Sequence, residues 1–313
     1  MTPPAADSTP PPAGGRPVHM LSFDVEEYFQ VEAAARGGMT PRQWGDWPCR
    51  AEPCVDRILT LLDDHDASAT FFVLGWIARH EPDIVRAIAR AGHEIASHGM
   101  SHAMLHRLDP ESFRAELLDS RKLLEDVSGC PVLGYRSPTF SISRNAGGGE
   151  CTAWAIDVLA EAGFRYDSSI FPVRHDRYGW VGAPRFIHQA VGPAGGRIVE
   201  IPPTTLRTLG MTLPVGGGGY LRLLPAALPS LALSRAARAG QAGMIYLHPW
   251  EFDPDQPVTP MGRLSRWRHR VNLHKTEAKL LRLMRRHAFT SVSTWLAGPA
   301  AASSQEYRYV PSA

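Results

Sequence analysis

The hydrophobic positions of this chain fall into short apolar runs that alternate with segments of helical periodicity. In the first half, apolar runs predict buried strands at residues 18–25, 68–75, 93–99 and 131–138. Such runs are typical of parallel sheets, because their strands are covered on both faces. Between these runs, apolar side chains recur at helical spacing and predict helices at residues 54–66, 82–92 and 109–129. The chain therefore opens as a series of strands and helices in turn.

The second half continues this alternation. Further strands are predicted at 164–169, 196–203, 243–250 and 290–294, and further helices at 151–164 and 276–289. Strands that alternate with helices indicate parallel βαβ units. Because the sequence has no G-x-G-x-x-G fingerprint of a dinucleotide-binding sheet, we expect a barrel. The predicted fold is α/β, a parallel barrel of about seven strand–helix units in a single domain.

One segment breaks the pattern. Residues 203–230 are rich in Gly and Pro and precede the last strands. Loops of this length in a compact domain are usually functional, and we expect the glycine-rich part at 214–221 to wall a long groove. The expected organisation is a disordered leader at 1–17, a domain at 18–297 that includes an extension at 203–297, and a tail at 298–313.

Side chains suited to chemistry fall at the carboxyl ends of the predicted strands. They are Asp24, His98, Arg136, Asp167 and His248. In barrels of parallel strands the active site lies at the carboxyl ends of the strands. The spacing of the elements and the types of these residues are independent patterns, and both indicate the same end of the sheet. We therefore expect these side chains to face one cavity.

An acid cluster and a histidine pair indicate a metal site. Residues two apart in a strand face the same side, so Asp24 and Glu26 project together; Glu27 is the alternative if the chain has already turned. His98 and His102 share a face if the run HGMSH forms a helical turn. Two imidazoles and a carboxylate suit a divalent metal such as Zn²⁺ and leave a position open. We predict His98 and His102 as two of its ligands, with one of the acids at the end of the first strand as the third.

Two further residues fit acid–base chemistry. Arg136, in YRSPTF, precedes a rigid Ser-Pro, and a guanidinium there can hold a carboxylate charged and oriented. His248 follows an apolar strand and can protonate a leaving amine near neutral pH. Glu251 and Asp253 are candidate orienting partners of His248. The metal ligands, a base and an acid together indicate a metal-dependent hydrolase.

Charge and composition limit the classes of partner and the location that we expect for this chain. The formal net charge of +2 gives no global field towards nucleic acid, so no nucleic-acid partner is expected. The locally basic stretch 263–286 is interpreted as a solvated helix face, with peripheral contact to an anionic lipid or lipid-linked sugar phosphate as the alternative. No apolar stretch reaches the roughly 18 residues of a membrane span, and the first residues lack the features of a signal peptide. The expected location is the cytoplasm.

The four cysteines do not form a metal-binding pattern. None belongs to a C-x-x-C pair, so zinc ligation by cysteine is not expected. We expect reduced thiols, with a bridge between Cys49 and Cys54 as the alternative in an oxidising compartment.

Five motifs in this order resemble the polysaccharide deacetylase (NodB-homology) superfamily, carbohydrate esterase family 4. They are FDVEE, HGMSH, RSPTF, YDSSIFP and LHPWE, and the resemblance covers roughly residues 18–297. Other segments resemble one branch, the exopolysaccharide deacetylases of PEP-CTERM/exosortase loci, which carry a C-terminal extension. These segments are DVEEYFQV, EIPPTTLRTLG, LPVGGGGYLRLLP and YLHPWEFDP.

The resemblance implies residue roles and a reaction. It implies a distorted parallel (β/α)₇-type barrel and a zinc-like ion held by His98, His102 and an acid. It also implies a general base at Asp24 oriented by Arg136, and a general acid at His248. The family's usual second aspartate is replaced by Val25, and the strand period selects Glu26 in its place. Substrate contacts are expected from Pro138, Asp167, Trp250 and Tyr220.

The expected reaction is removal of N-acetyl groups from hexosamine residues of a glycan, in exopolysaccharide biosynthesis. Water attacks the amide carbonyl, Asp24 accepts its proton, and His248 protonates the departing amine. Two alternatives stay open at this point. One is hydrolysis of a small amide, as in allantoinase-like relatives, and the other is a catalytically inactive glycan-binding protein.

Overall fold

The structure is a computed structural model, and it describes residues 17–144, 150–175, 177–298 and 305–311. The predicted leader at 1–17 lies outside the described residues apart from Pro17. The strands are β1 (Val18–Val25), β2 (Thr70–Val73), β3 (Glu94–Ser97), β4 (Gly134–Tyr135), β5 (Tyr166–Asp167), β6 (His188–Val191), β7 (Arg197–Glu200), β8 (Thr205–Thr208), β9 (Met211–Pro214), β10 (Met244–Leu247), β11 (Ala288–Thr290) and β12 (Glu306–Arg308).

The helices lie mainly between these strands. They are α1 (Glu32–Ala35), α2 (Ala51–Asp63), α3 (Gly75–His80), α4 (Pro82–Arg90), α5 (Pro110–Ser128), α6 (Trp154–Glu161), α7 (Gly218–Leu223), α8 (Ala227–Arg238), α9 (Arg263–Arg270), α10 (Thr276–Met284) and α11 (Val292–Ala297). No described helix is both long enough and apolar enough to cross a bilayer.

The main sheet has ten strands and is almost wholly parallel. Its hydrogen-bonded order is β10-β1-β2-β3-β4-β5-β7-β6-β12, and β11 also pairs with β1. Among its described strand pairs, β6 with β7 is the one antiparallel pair, and β12 runs parallel to β6. The predicted α/β fold with a parallel sheet is confirmed. Among the described residues, the path of paired strands ends at β12 without returning to β10.

Helix α5 illustrates how the local sequence determines where a helix begins and ends. The Asp109 carboxylate accepts a hydrogen bond from the Ser112 N–H at 2.8 Å, which satisfies a donor at the start of the helix. The helix ends at Gly129, whose φ of 69° lies in the left-handed region that a residue with a Cβ adopts at a cost. The predicted bounds of 109–129 include both capping residues.

Two predicted elements differ from the structure. Residues 290–294 were expected as a strand, but β11 ends at Thr290 and the Ser291 side chain accepts from the Thr294 N–H to start α11. This Ser-x-x-Thr cap outweighs the β propensity of the run. The expected tail also contributes an edge strand, since β12 pairs with β6.

The Gly/Pro-rich segment 203–230 is ordered. It forms the antiparallel pair β8–β9, then α7, and then the start of α8. Gly217 makes an isolated parallel bridge to Tyr246 of β10. A Cβ at Gly217 would lie 1.7 Å from the Tyr246 carbonyl oxygen, so only glycine permits this approach. The glycine run therefore allows the insertion to pack directly against β10.

The cysteines bear no bridges. Cys49, Cys54, Cys130 and Cys151 are all free thiols, as expected for a reduced chain.

Burial of His19 predicts a loss of stability in acid. This β1 residue has no exposed surface, and its Nδ1 accepts the Gly243 N–H at 3.1 Å. Burial, with the nearby His287 ring, lowers the pKa of His19 to about 4. The unfolded chain takes up this proton near pH 6.5, so the free energy of unfolding falls as the pH drops from about 6.5 to about 4. The expected loss is on the order of 3 kcal/mol.

Urea unfolding of the wild type and of a His19→Gln variant at pH 7.5 and pH 4.5 measures how much His19 contributes to this loss of stability. The amide oxygen of glutamine can still accept from Gly243, and the variant should lose less stability in acid. An equal loss in both proteins would show that His19 does not set the acid sensitivity.

Candidate active site

The end of β1 places two carboxylates in one cavity. Asp24 and Glu26 lie two residues apart, and each is 2% exposed. The intervening Val25 is fully buried in the core. The alternation of a strand therefore carries both acids to the same side, as predicted from the sequence.

Glu27 has a different role. Its Oε1 accepts hydrogen bonds from the backbone N–H groups of Arg50 and Ala51, at 2.7 and 2.8 Å. These groups open α2, so Glu27 satisfies the helix N-terminus from a distant part of the chain. The structure therefore places Glu26, rather than Glu27, beside the histidines.

His98 and His102 meet Glu26 at the end of β3. One nitrogen from each ring and one Glu26 oxygen lie within 4.8 Å of one another. The ring centroids are 5.4 Å apart, and Glu26 Oε2 is 2.5 Å from His102 Nε2. The predicted helical turn is absent, because Gly99 and His102 take φ values of 79° and 56°. A loop bend, not a helix, brings the two rings together.

The surroundings of His98 leave one nitrogen available to an ion. His98 Nδ1 donates to the Arg136 carbonyl at 2.8 Å, which leaves the lone pair on Nε2. Burial lowers the pKa of His98 to about 4, so the imidazole is neutral at physiological pH. Burial would raise the pKa of Glu26, but His102 and the other two histidines outweigh it and lower that pKa to about 2. A neutral imidazole and a charged carboxylate are the forms that bind a metal.

The donor set fits a divalent ion. Glu26 Oε2 is buried and has no aligned hydrogen-bond donor among the described residues, although His102 is close. An orphaned carboxylate oxygen between two imidazole nitrogens is what a site with two histidines and one acid requires. Glu26, His98 and His102 would hold such an ion, and the geometry does not identify the element.

Arg136 fixes Asp24. The fully buried guanidinium donates from Nη1 to Asp24 Oδ1 at 2.5 Å and to Ser22 Oγ at 2.9 Å. Its other nitrogens donate to the Ser168 side chain and carbonyl, and it lies 4.0 Å over the Phe72 ring. The predicted contact between Arg136 and Asp24 is therefore present. With Oδ1 held, Asp24 Oδ2 is the oxygen that faces His248.

His248 lies opposite these acids. Its Nε2 is 3.9 Å from Asp24 Oδ2 and 3.8 Å from Glu26 Oε1. Its Nδ1 donates to Glu251 Oε1 at 2.6 Å. Burial alone would lower the pKa of His248, but the Glu251 carboxylate, with Glu26 and Asp24, outweighs burial and raises it. A protonated imidazole is therefore favoured at this position.

Sequence reasoning missed the residue that holds Glu251. Arg222, from α7 in the insertion, donates from Nε to Glu251 Oε2 at 2.8 Å. Both side chains are almost completely buried. Nothing in the sequence pattern distinguishes Arg222 from other arginines of this basic region. Of the two candidate partners of His248, Glu251 is the one in contact, whereas Asp253 pairs with Arg50.

The site opens into a cavity of about 950 Å³. Tyr220 and Trp250 line it, and Trp250 also donates from Nε1 to Glu26 Oε1 at 3.1 Å. Pro138 and Asp167, expected as substrate contacts, are buried and do not line it. Asp167 instead accepts from Ser169 Oγ at 2.5 Å, behind the wall. Burial raises its pKa.

One wall of the cavity is strained. Thr139 and Phe140 both line it and have φ values of 57° and 52°. Left-handed backbone is costly for a β-branched residue such as Thr139. The turn is held because Ser137 Oγ accepts the Ser141 N–H at 2.8 Å. Strain of this kind concentrates at functional sites.

Comparison with known families gives two matches along the chain. Residues 44–166 match the family described as Polysaccharide deacetylase, and residues 168–297 match the Domain of unknown function (DUF3473). The acids at the end of β1 lie before the first match, whereas His248, Glu251 and Arg222 lie within the second.

Curated relatives resemble part of the chain. Over 109 residues it is 35% identical to a chitooligosaccharide deacetylase of Rhizobium leguminosarum bv. trifolii, covering 35% of this chain and 45% of that protein. Over 89 residues it is 34% identical to a peptidoglycan-N-acetylglucosamine deacetylase of Bacillus cereus, covering 28% of this chain and 32% of that protein. The matched segment thus spans less than half the length of these relatives.

The fold extends over the whole described domain. A solved Mycobacterium smegmatis protein assigned to the polysaccharide deacetylases superposes with a TM-score of 0.52 and 22% identity, covering 92% of this chain and 93% of that one. This likeness shows a shared fold. The family match and the curated relatives together support placement in the polysaccharide deacetylase superfamily.

Proposed function

We propose that this chain, supported as a member of the polysaccharide deacetylase superfamily, removes N-acetyl groups from hexosamine residues of a polysaccharide. One observation carries the proposal. A two-histidine, one-carboxylate set, a carboxylate held by a buried arginine, and a histidine held by a buried carboxylate surround one large cavity. These are the groups that hydrolysis of an amide requires.

We assign one divalent ion to Glu26, His98 and His102, and zinc is the element that this donor set favours. When bound, such an ion supplies Lewis-acid polarisation of a carbonyl oxygen and makes water more acidic. The protein's part is to keep the His98 imidazole neutral by burial and the Glu26 carboxylate charged through its histidine neighbours.

Asp24 is the proposed general base. The Arg136 guanidinium engages Oδ1, so Oδ2 is oriented towards the space between the acids and His248. A base needs a fixed orientation, because it must lie within hydrogen-bonding reach of the proton it removes. Arg136 acts through Asp24 and is a positioning residue.

His248 is the proposed general acid. An amine is a poor leaving group unless it is protonated, and His248 Nε2 faces Asp24 Oδ2 across a gap of 3.9 Å. A proton accepted on one side of the reacting carbon can therefore be matched by a proton donated on the other. Glu251 holds the ring through Nδ1, so that Nε2 points into the cavity.

The cavity suits a saccharide. Tyr220 offers an aromatic ring on its wall, and a volume of about 950 Å³ exceeds what one small amide needs. We extend the proposal to exopolysaccharide biosynthesis, in the PEP-CTERM/exosortase-associated branch that the motifs resemble. The cytoplasmic location stays a prediction from the sequence.

Acetate release tests the function. The purified protein would be incubated with N-acetylglucosamine oligosaccharides, with acetylated glycan polymers and with small cyclic amides such as allantoin, before and after chelation and metal restoration. We expect acetate from the saccharides, lost with the metal and restored by zinc. Turnover of the small amides alone would favour the other hydrolase, and saccharide binding without turnover would indicate an inactive glycan-binding protein.

Glu251→Gln is expected to lower turnover by at least about 10-fold, and by no more than the roughly 10²–10⁴-fold that one acid–base group contributes. Glutamine removes the charge that raises the pKa of His248. His248 then loses its proton at lower pH, so the alkaline limb of the rate profile should move to lower pH.

Asp253→Asn is the matched control. Asp253 is a nearby acid of the same loop but pairs with Arg50. The control should leave the position of the alkaline limb unchanged. An equal shift in both variants would show that Glu251 has no specific effect on His248.

A further inference from the structure

Helix α9 has almost no buried face. His269 is the one buried residue of its eight. Its ring stacks on Trp250, with 4.2 Å between centroids, and its Nε2 lies 2.7 Å from Gln256 Oε1. Arg270 ties the helix end to the carbonyls of Gln256 and Pro254. The helix is therefore held along one line, and most of its circumference faces solvent.

Large apolar side chains are exposed on and beside this helix. Of the ten such side chains in the described part of the chain, three lie within residues 258–267: Val258 at 53%, Leu264 at 59% and Trp267 at 55% exposure. Trp267 is also the one exposed residue among the eight tryptophans. Exposed apolar groups collected in one place mark an interaction surface.

The same helix is strongly basic. Residues 258–271 include four arginines and no acid. Arg263, Arg266, Trp267 and Arg270 recur at the spacing of one helix face, and together with Val271 they line a shallow groove of about 380 Å³. Over residues 203–286 there are thirteen Lys and Arg against four Asp and Glu, a net +9, whereas the whole chain carries +2. The positive charge is thus local, and its complement is an anionic surface.

We propose that the α9 face, defined as Arg263, Leu264, Arg266 and Trp267, docks on the surface of an anionic phospholipid bilayer. Arginines at the lipid phosphates and a tryptophan at the headgroup level are the arrangement that a bilayer interface stabilises. The exposed Leu264 side chain would be removed from water at a bilayer interface. Contact with an acidic polymer would leave it in water. The short helix lies on the surface and does not span the bilayer.

Docking here would place the catalytic cavity beside the membrane. Ser265, Arg268 and His269 of the same helix line the main cavity. If the proposed function holds, the substrate is then a glycan presented near lipid headgroups. Membrane binding itself requires no turnover, so vesicle binding and acetate release are separate measurements that can fail independently.

Vesicle flotation of the full chain tests the proposal. The probes are phosphatidylcholine vesicles with and without phosphatidylglycerol, at low and at physiological salt. We expect the protein to float with the anionic vesicles and to be released by salt. Each lost arginine should weaken binding by about fivefold, so Arg263→Gln with Arg266→Gln should weaken it by about 25-fold. Trp267→Phe should abolish quenching of protein fluorescence by brominated lipid.

Matched variants and competitors decide the outcome. Arg79→Gln with Arg90→Gln removes two exposed arginines of α3 and α4 and should leave vesicle binding unchanged. Circular dichroism and acetate release should be the same in all variants. Equal binding to neutral vesicles, equal loss in the control pair, or equally tight and arginine-dependent binding of duplex DNA or polyglutamate would overturn the proposal.

Discussion

Glu26→Gln is expected to empty the metal site and abolish acetate release. The side chain keeps its size but loses the charge that places its oxygen between two imidazole nitrogens. A neutral amide is a weak ligand for a zinc-like ion. The loss of metal affinity should therefore exceed the roughly 10–100-fold caused by removal of an outer-shell partner. Metal content by inductively coupled plasma mass spectrometry and acetate release measure both effects.

Glu27→Gln is the matched control. It changes the adjacent acid in the same way, but that carboxylate accepts from the start of α2 instead of facing the histidines. The control should retain one ion per chain, although it is expected to unfold at lower temperature. Metal lost from Glu27→Gln and kept by Glu26→Gln would reverse the assignment of the ligand.

Asp24→Asn is expected to lower turnover by roughly 10²–10⁴-fold while metal content stays unchanged. Asparagine can accept from Arg136 but cannot take a proton from water. It also leaves the fully buried guanidinium without its counter-charge. Loss of one partner of a buried ion pair costs about 3–5 kcal/mol of stability, so the assay should run well below the melting temperature of the variant.

Ser22→Ala separates orientation from base chemistry. It removes a different contact of the same guanidinium, the bond from Arg136 Nη1 to Ser22 Oγ at 2.9 Å. We expect only a few-fold loss of turnover, since Asp24 keeps its own bond to Arg136 and other contacts still hold the guanidinium. Normal turnover in folded Asp24→Asn would remove Asp24 from the mechanism.

The parts of the site that lie on strands could be predicted from the sequence. A strand has a fixed period, so the choice of Glu26 over Glu27 followed from counting residues, and the structure places Glu26 beside the histidines. The contact between Asp24 and Arg136 followed from the rule that the carboxyl ends of parallel strands meet at one edge. These inferences needed only local geometry.

Contacts made by loops and by the insertion could not be predicted in this way. The bend that brings His102 to His98 depends on a left-handed residue that no periodicity signals. Arg222 reaches Glu251 because glycines let the insertion lie against β10, a tertiary contact with no local signature. Asp167 ends a strand as Asp24 nearly does, yet it is buried, does not line the cavity and accepts from Ser169 Oγ. Position at a strand end therefore does not by itself decide which way a side chain is directed.

The position of β1 in the sheet also determines when the site can form during synthesis. β1 precedes the other described strands in the chain, but one of its sides is covered by β10 and β11, more than 220 residues later. A nascent chain therefore carries an unpaired apolar edge on β1 until residues 244–290 have left the ribosome. Pairing of ends so distant in sequence is slow, and such edges are prone to aggregate. Asp24 and Glu26 reach their final surroundings only when this last pairing closes.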